Sequence, residues 1–220
     1  MAILTDIVLQ VAEAIFHRRT AFITRVGIDG IDGAGKTTFA NVLAETLASQ
    51  AVPAIRSSVD GFHNPKAIRY RSGRMSPLGF YADSYDYARL KSSLLDPLSP
   101  GGTGRYLPAV FDHNADSAID GHPQQANPGD VLLFDGIFLH RPELRNYWDL
   151  SIYLDVQFEQ SIPRLAARDG GPSNLDASLN RRYIEGQQRY IGECQPAERA
   201  SIVIDNNDPE HPVIMRWLGK

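Results

Sequence analysis

Residues 30–37 read Gly-Ile-Asp-Gly-Ala-Gly-Lys-Thr, and this stretch decides the fold of the chain. Gly30, four further residues, Gly35, Lys36 and Thr37 together match the P-loop signature. A strand-like segment over residues 22–29 precedes the loop, and apolar residues at four-residue steps follow it. This context predicts a nucleoside triphosphate site. The alternative, a glycine-rich turn without a ligand, leaves the flanking strand and helix unexplained.

Each fixed position of the P-loop has a physical role. The glycines let the backbone aim successive N–H groups at phosphate oxygens. Lys36 places its charge on the β and γ phosphates, and the Thr37 hydroxyl can coordinate magnesium. The ligands predicted here are therefore ATP and Mg²⁺. The predicted nucleotide-binding residues are Gly30, Asp32, Gly33, Ala34, Gly35, Lys36, Thr37 and Thr38.

Strand-like and helical segments alternate along the rest of the chain. Further strand-like segments lie at residues 53–59, 131–134, 150–155 and 202–204. This alternation predicts a three-layer α/β P-loop NTPase fold, with a mainly parallel sheet and helices on both faces. Residues 1–20 predict an amphipathic helix, because acidic residues interrupt what would otherwise be an apolar signal sequence. The length of 220 residues suits a single domain over residues 1–220 with a small mobile lid.

Residues 99–129 break the alternation, because glycine and proline are dense there. The composition predicts a long surface excursion on the substrate side of the domain. Loops of this length often build binding sites, but an insertion without a function would have the same composition.

Composition narrows the classes of function. The net charge of −4 argues against a general nucleic-acid binder, which needs a basic face. Cys194 is the only cysteine, so no internal disulfide can form, and this fits the cytoplasm. No stretch approaches the roughly 18 apolar residues of a membrane span. We therefore expect a cytoplasmic protein that binds neither nucleic acid nor membrane, and self-association into a homo-oligomer stays open.

Two acidic residues follow strand-like segments. Asp135 comes directly after Val-Leu-Leu-Phe at residues 131–134, where P-loop proteins usually hold magnesium. Asp60 ends the segment after the P-loop helix, and parallel strands place their carboxyl ends on one edge of the sheet. Asp60 could take a proton from an attacking hydroxyl or help to bind the metal. The alternative for both residues is a simple turn or cap.

The residues after Asp60 are less specific. His63 could contact a substrate, or it could be a structural histidine beside Phe62. The basic run that follows is either a solvated face or a clamp on an anionic group. It consists of Lys66, Arg69, Arg71 and Arg74.

Several motifs in this order resemble the uridine kinase and phosphoribulokinase branch of P-loop kinases. Besides the P-loop, they are Asp-Gly-Phe-His at 60–63, Leu-Phe-Asp-Gly-Ile at 133–137, the strand ending at Asp155 and the tail at 200–206. The resemblance implies that Asp60 is the catalytic base and that Asp135, where the family usually has glutamate, is a metal-side carboxylate. It also implies an arginine-bearing lid over residues 164–182. Arg164 and Arg168 of this lid would be catalytic residues together with Lys36 of the P-loop.

The same resemblance implies ATP-dependent transfer of the γ-phosphate to a primary hydroxyl, most closely that of a nucleoside such as uridine or cytidine. Sugars, pantothenate and glycerate stay open as acceptors, because Asp-Gly-Phe-His also resembles kinases of such compounds. A regulatory P-loop ATPase and a nucleic-acid-binding ATPase are the rival functions. The predicted substrate-binding residues are His63, Tyr81, Asp83, Tyr106, Phe111, His113 and Arg182.

Overall fold

A six-stranded sheet forms the centre of the protein, and its strands lie in the order Val213–Trp217, Ile202–Asp205, Leu150–Asp155, Thr24–Gly30, Val131–Gly136 and Ala54–Ser58. The computed structural model describes residues 2–218, so the ends of the predicted domain, residues 1 and 219–220, lie outside the described residues. The strands of the sheet are β1 (Thr24–Gly30), β2 (Ala54–Ser58), β7 (Val131–Gly136), β8 (Leu150–Asp155), β9 (Ile202–Asp205) and β10 (Val213–Trp217). All neighbouring pairs are parallel except β9–β10. The predicted mainly parallel α/β fold is confirmed.

The two faces of the sheet bury different side chains, as the alternation of a strand requires. In β7, Val131 and Leu133 pack in one core, and Leu132 and Phe134 pack in the core on the opposite face. Both faces are covered, which is why this strand reads as an uninterrupted apolar run.

Helices cover both faces. On the first face, α1 (Ala2–Arg18) and α2 (Lys36–Ser49) bury apolar residues against β1 and β7, among them Val11, Ile15 and Leu43. Helix α1 lies inside residues 1–20, the segment for which an N-terminal helix was predicted, and residue 1 of that segment lies outside the described residues. The other helices are α3 (Lys66–Arg69), α4 (Pro77–Asp83), α5 (Tyr87–Leu90), α6 (Phe158–Asp169), α7 (Ser178–Cys194) and α8 (Pro196–Arg199). One turn of π-helix, Lys91–Leu95, continues α5.

The predicted excursion over residues 99–129 contains four short strands that the sequence did not indicate. They form two small antiparallel sheets, β3 (Arg105–Tyr106) with β6 (Gln124–Gln125) and β4 (Phe111–Asp112) with β5 (Ser117–Ala118). Tyr106 and Phe111 anchor this segment in the core of the second face.

The segment predicted as the lid, residues 164–182, spans the end of α6, a connecting loop over 170–177 and the start of α7. Within residues 2–218, none of the helices combines the length and the apolar character that crossing a membrane requires.

Candidate active site

The P-loop connects the end of β1 to the first residue of α2. Gly30, Gly33 and Gly35 all have positive φ angles, of 155°, 76° and 90°. A Cβ atom on Gly33 would lie 2.5 Å from the carbonyl oxygen of Ser161, and one on Gly30 would lie 2.8 Å from that of Leu154. The loop therefore requires glycine for its backbone conformation and for its close approach to α6 and β8. The positive end of α2 lies directly behind it.

Side chains from the loop and from the C-terminal segment hold the P-loop in place. The Lys36 ammonium group donates a hydrogen bond of 2.8 Å across the loop to the carbonyl oxygen of Ile31. The buried Asn206 amide, directly after β9, donates to the carbonyl oxygen of Ala34, also at 2.8 Å. Contacts within the protein thus support the loop conformation, with Lys36 bonded across the loop.

Thr37 and Asp135 meet at the start of α2. The Thr37 hydroxyl donates to Asp135 Oδ2 at 2.8 Å, and Arg56 Nη2 donates to Oδ1 at 2.8 Å. A hydroxyl and a carboxylate beside a phosphate loop are the hard oxygen donors that Mg²⁺ prefers. Within residues 2–218, no group of three or more His, Cys, Asp or Glu side chains is arranged so that it could hold a metal ion. Mg²⁺ is usually held by one or two protein groups together with phosphates, so it does not require such a group.

Asp60 lies at the same edge of the sheet. Ser58 of β2 pairs with Asp135 of β7, and Asp60 follows two residues later in a short 3₁₀ turn. Its side chain is exposed. The sequence places Asp60 and Asp135 far apart, and the parallel register brings both to the P-loop edge.

Aromatic rings line the space beside Asp60. The Tyr85 hydroxyl is 3.5 Å from Asp60 Oδ1, and the His63 ring lies 4.5 Å from the Tyr85 ring and 4.7 Å from the stacked His113 ring. We call Asp60, His63, Tyr85 and His113 the acceptor wall. Burial lowers the pKa of His63, against the opposing effect of its hydrogen bond to the Asp60 carbonyl. The His63 ring is therefore neutral at pH 7.

Asp32, in the middle of the P-loop, is electrostatically linked to this wall. Burial raises its pKa, the attraction of Lys36 lowers it, and the negative charge of Asp60 raises it further. Its backbone N–H donates at 2.6 Å to Gln187 on α7. The carboxylates of Asp32 and Asp60 therefore interact electrostatically at this edge of the sheet.

The predicted lid arginines border a cavity of about 270 Å³ beside the P-loop. Arg164 donates to the backbone carbonyls of Asn206 and Asn207, and Arg168 forms an ion pair with Asp169. The residues around the cavity include Gly33, Gly35, Thr38, Phe39, Arg164 and Arg168. Arg168 is exposed, and besides its partner Asp169 its guanidinium interacts electrostatically with Asp32 and Asp60.

We call α4, the excursion over residues 99–129 and the acceptor wall together the acceptor half of the fold. Three of the other predicted substrate residues belong to this half. Tyr81 contacts Cys194 Sγ at 3.5 Å, Tyr106 donates to Gln124 at 2.8 Å, and Phe111 is buried. These contacts hold the excursion and α4 in place, and none of them involves the acceptor wall.

The two charged members of the predicted substrate set are held by protein partners. Asp83 is buried in an ion pair with Arg71. The buried Arg182 guanidinium lies over the rings of Tyr70 and Phe80 and donates to the Arg74 carbonyl. The Arg182 guanidinium is thus engaged by protein groups, and its predicted contact with a substrate stays a prediction.

Some residues of the site were not predicted. Arg56 on β2 holds Asp135, and the only sign in the sequence was an arginine inside a strand-like segment. Asp29, His140, Tyr190 and Gln187 form buried contacts behind the P-loop, and no local pattern marks them. Asn206 lies in the tail that carried the family resemblance, but its bond to the P-loop was not foreseen.

Comparison with known proteins places this geometry in context. The chain is 27% identical over 173 residues to a pantothenate kinase of Sinorhizobium medicae, covering 68% of this chain and 51% of that protein. It spans about half the length of the curated relatives it matches.

Two solved structures share the fold at similar identity. A possible uridine kinase from Bacillus stearothermophilus has a TM-score of 0.71 at 25% identity, covering 90% of this chain and 97% of that one. A candidate fructose transport system kinase from Silicibacter sp. TM1040 has a TM-score of 0.67 at 26% identity, covering 85% and 94%.

The sequence model of one family matches residues 25–171, from β1 through the P-loop, Asp60 and Asp135 to the end of α6. Since this match spans most of the chain and both halves of the site, the chain belongs to the phosphoribulokinase / uridine kinase family.

Proposed function

We propose that this chain transfers the γ-phosphate of ATP to a primary hydroxyl of a small molecule, with a nucleoside such as uridine or cytidine as the first acceptor to test. One observation carries the proposal: the P-loop, the Thr37–Asp135 pair and Asp60 lie on one edge of the sheet. Family membership supports a kinase that uses ATP. The cytoplasm stays a prediction from the single cysteine.

In the proposed reaction the protein acts by positioning and by charge. The P-loop amides and Lys36 would bind the phosphates, and the cavity beside Arg164 and Thr38 would take the base of the nucleotide. Thr37 and Asp135 would hold Mg²⁺, directly or through water, and the ion would neutralise phosphate charge. Arg168 would approach the transferring group from the lid.

Asp60 is the proposed base. It is exposed, and it follows β2 at the P-loop edge. The Tyr85 hydroxyl donates to its carboxylate, and the His63 ring is hydrogen-bonded to its backbone carbonyl, so both residues hold Asp60 in place. An ionised carboxylate there can accept the proton of an acceptor hydroxyl as oxygen attacks phosphorus, a contribution of about 10²- to 10⁴-fold to the rate.

The acceptor wall favours a neutral acceptor. Stacked His63 and His113 rings present flat surfaces that suit a planar base or the face of a sugar ring. The neighbouring arginines are occupied by partners of their own: Arg69 by Asp116, Arg71 by Asp83 and Arg182 by aromatic rings. We therefore place nucleosides and sugars before carboxylates such as pantothenate and glycerate, although the compared relatives include pantothenate kinases.

A coupled assay of ADP release tests the proposal. The acceptors are uridine, cytidine, fructose, pantothenate, glycerate and ribulose 5-phosphate, each at the same ATP and Mg²⁺ concentration. We expect turnover above the acceptor-free rate with at least one compound, and first with a nucleoside. Turnover with another compound and none with uridine or cytidine would overturn the nucleoside assignment alone. Slow hydrolysis that no acceptor accelerates would instead indicate a regulatory ATPase.

Asp60→Asn tests the base. The variant should bind ATP with nearly unchanged affinity and turn over the acceptor about 10²- to 10⁴-fold more slowly, because the amide cannot take the proton. Asp120→Asn, an exposed position in the excursion, is the matched control and should keep full activity. Near-normal turnover by Asp60→Asn would contradict the role of Asp60 as base.

A further inference from the structure

Helix α7 contacts the P-loop through two side chains on one face. The buried Gln187 accepts the Asp32 N–H at 2.6 Å, and Tyr190, one turn later, donates its hydroxyl hydrogen to the Asp29 carboxylate. The other oxygen of Asp29 accepts the N–H of Gly30 at 2.7 Å. Gln187 therefore bonds a backbone amide of the loop directly, and Tyr190 bonds the carboxylate that accepts the amide of Gly30.

His140 extends this contact to the segment after the metal-side strand. Its Nδ1 lies 2.6 Å from Asp29 Oδ2, and its backbone N–H donates at 2.9 Å to the Tyr190 hydroxyl. Asp29 is completely buried, and His140 and Tyr190 are nearly so. Polar groups buried this deeply are costly unless bonded, so the cluster fixes the relative positions of β1, α7 and the segment after β7.

The same helix also contacts the acceptor half. Gly186 approaches α4 so closely that a Cβ atom there would lie 2.7 Å from the Phe80 ring and 2.9 Å from the Pro77 carbonyl oxygen. Near the end of α7, Cys194 Sγ lies 3.5 Å from the Tyr81 hydroxyl. Helix α4 leads directly to Tyr85 of the acceptor wall.

We propose that α7 sets the distance between the P-loop and the acceptor wall, with Gln187 and Tyr190 as positioning residues for phosphoryl transfer. This rests on the proposed kinase function. Neither side chain needs to touch a substrate. Gln187 holds Asp32, the third residue of the P-loop, and Tyr190 holds Asp29, the residue directly before the loop. In-line transfer is sensitive to such placement, since a displacement of about 1 Å can cost about 10²-fold in rate.

The test compares three variants. Gln187→Met keeps the length of the side chain but removes the acceptor oxygen, and Tyr190→Phe keeps the ring but removes the hydroxyl. Gln188→Met makes the same change at the exposed neighbouring position and is the control. With the acceptor found in the ADP-release screen, we expect kcat to fall about 10-fold or more in the first two variants. KM for ATP should change less than about threefold, and the control should match the parent.

Amide hydrogen exchange of residues 29–35 in the nucleotide-free protein gives a second readout that does not depend on turnover. Loss of the hydrogen bond to Asp32 or to Asp29 should speed exchange roughly 2- to 10-fold in Gln187→Met and Tyr190→Phe, and Gln188→Met should exchange like the parent. Unchanged exchange in both variants would overturn the inference. Faster exchange with unchanged kcat would show that α7 only supports the fold, which also overturns it.

The outcomes separate this inference from the proposed function. A parent protein that phosphorylates none of the screened acceptors contradicts the proposed function and the catalytic part of the inference together, whereas the exchange rates still report whether α7 holds the loop. If Gln187→Met does not fold, Tyr190→Phe carries the test, because it leaves the aromatic packing with Phe138 in place.

Discussion

At the scale of single residues, Asp32 is unusual because it places a second carboxylate close to Asp60. Burial raises its pKa, so the folded protein holds this proton at pH values where the unfolded chain, with an ordinary pKa of 3.8, has lost it. The free energy of unfolding therefore decreases as pH rises from about 3.8 through the pKa of the folded state. At neutral pH the charged Asp32 carboxylate is a destabilising feature.

Asp32→Asn should remove this dependence. We expect the variant to melt at a higher temperature than the parent at pH 7 to 8, and by a smaller margin close to pH 4, where a larger fraction of Asp32 is protonated. Thermal melts across that pH range provide the measurement, with exposed Asp120→Asn as the control. A variant that is less stable than the parent at pH 8 would refute this reading of Asp32.

The sequence allowed the donor half of the site to be predicted because its residues are contiguous. The residues from Gly30 to Thr38 lie in one loop and helix start, and each has a role that its chemistry dictates. The acceptor half was harder, because the wall joins Asp60 and His63 to Tyr85 and His113 through tertiary contacts. The contact of Gln187 with Asp32 spans 155 positions, and no local pattern encodes it.

At the scale of elements, α7 shows how two glycines of one helix differ. Gly186 faces α4 at a distance that leaves no room for a methyl group, and Gly192 faces open space. The boundaries of β7 and β8 were predicted to within a few residues because these strands are largely apolar and buried on both faces. The strand β10 was missed, since Val213 and Met215 are exposed although apolar, and the sequence Val-Ile-Met-Arg-Trp does not alternate apolar with polar residues.

The two glycines therefore predict opposite effects of one substitution. Gly186→Ala should destabilise the protein by about 1–3 kcal/mol, because the methyl group meets Phe80 and the Pro77 carbonyl. Gly192→Ala should be neutral or stabilising by up to about 1 kcal/mol, since alanine is the better helix former. Urea unfolding of both variants would measure this. Equal effects of the two substitutions would contradict the tight contact between α4 and α7.

At the scale of the whole molecule, ATP should stabilise the folded state through the P-loop. A ligand at 100 times its Kd adds about 2.7 kcal/mol, which for a chain of this size corresponds to a rise in Tm of roughly 5–10 °C. Lys36→Ala should lose most of this rise, because its charge binds the phosphates. Thermal shift assays with and without ATP and Mg²⁺ provide the measurement.

The control for this experiment is Lys66→Ala. It removes an exposed lysine of the basic run that follows His63 in the chain. Its ATP-dependent rise should equal that of the parent. A reduced rise in Lys66→Ala would show that the basic run contacts the nucleotide, and would favour the anion clamp over the solvated face.

Strand β2 lies at the edge of the sheet, and this position affects how the fold can diverge in evolution. The nucleotide-binding elements lie at its centre, on β1 and β7, whereas Asp60 follows a strand with only one neighbour. Segments beside an edge strand can be lengthened, shortened or replaced without disturbing the central strands. Evolution can thus exchange the acceptor while keeping the phosphate donor, which is consistent with relatives named for different substrates on a shared architecture.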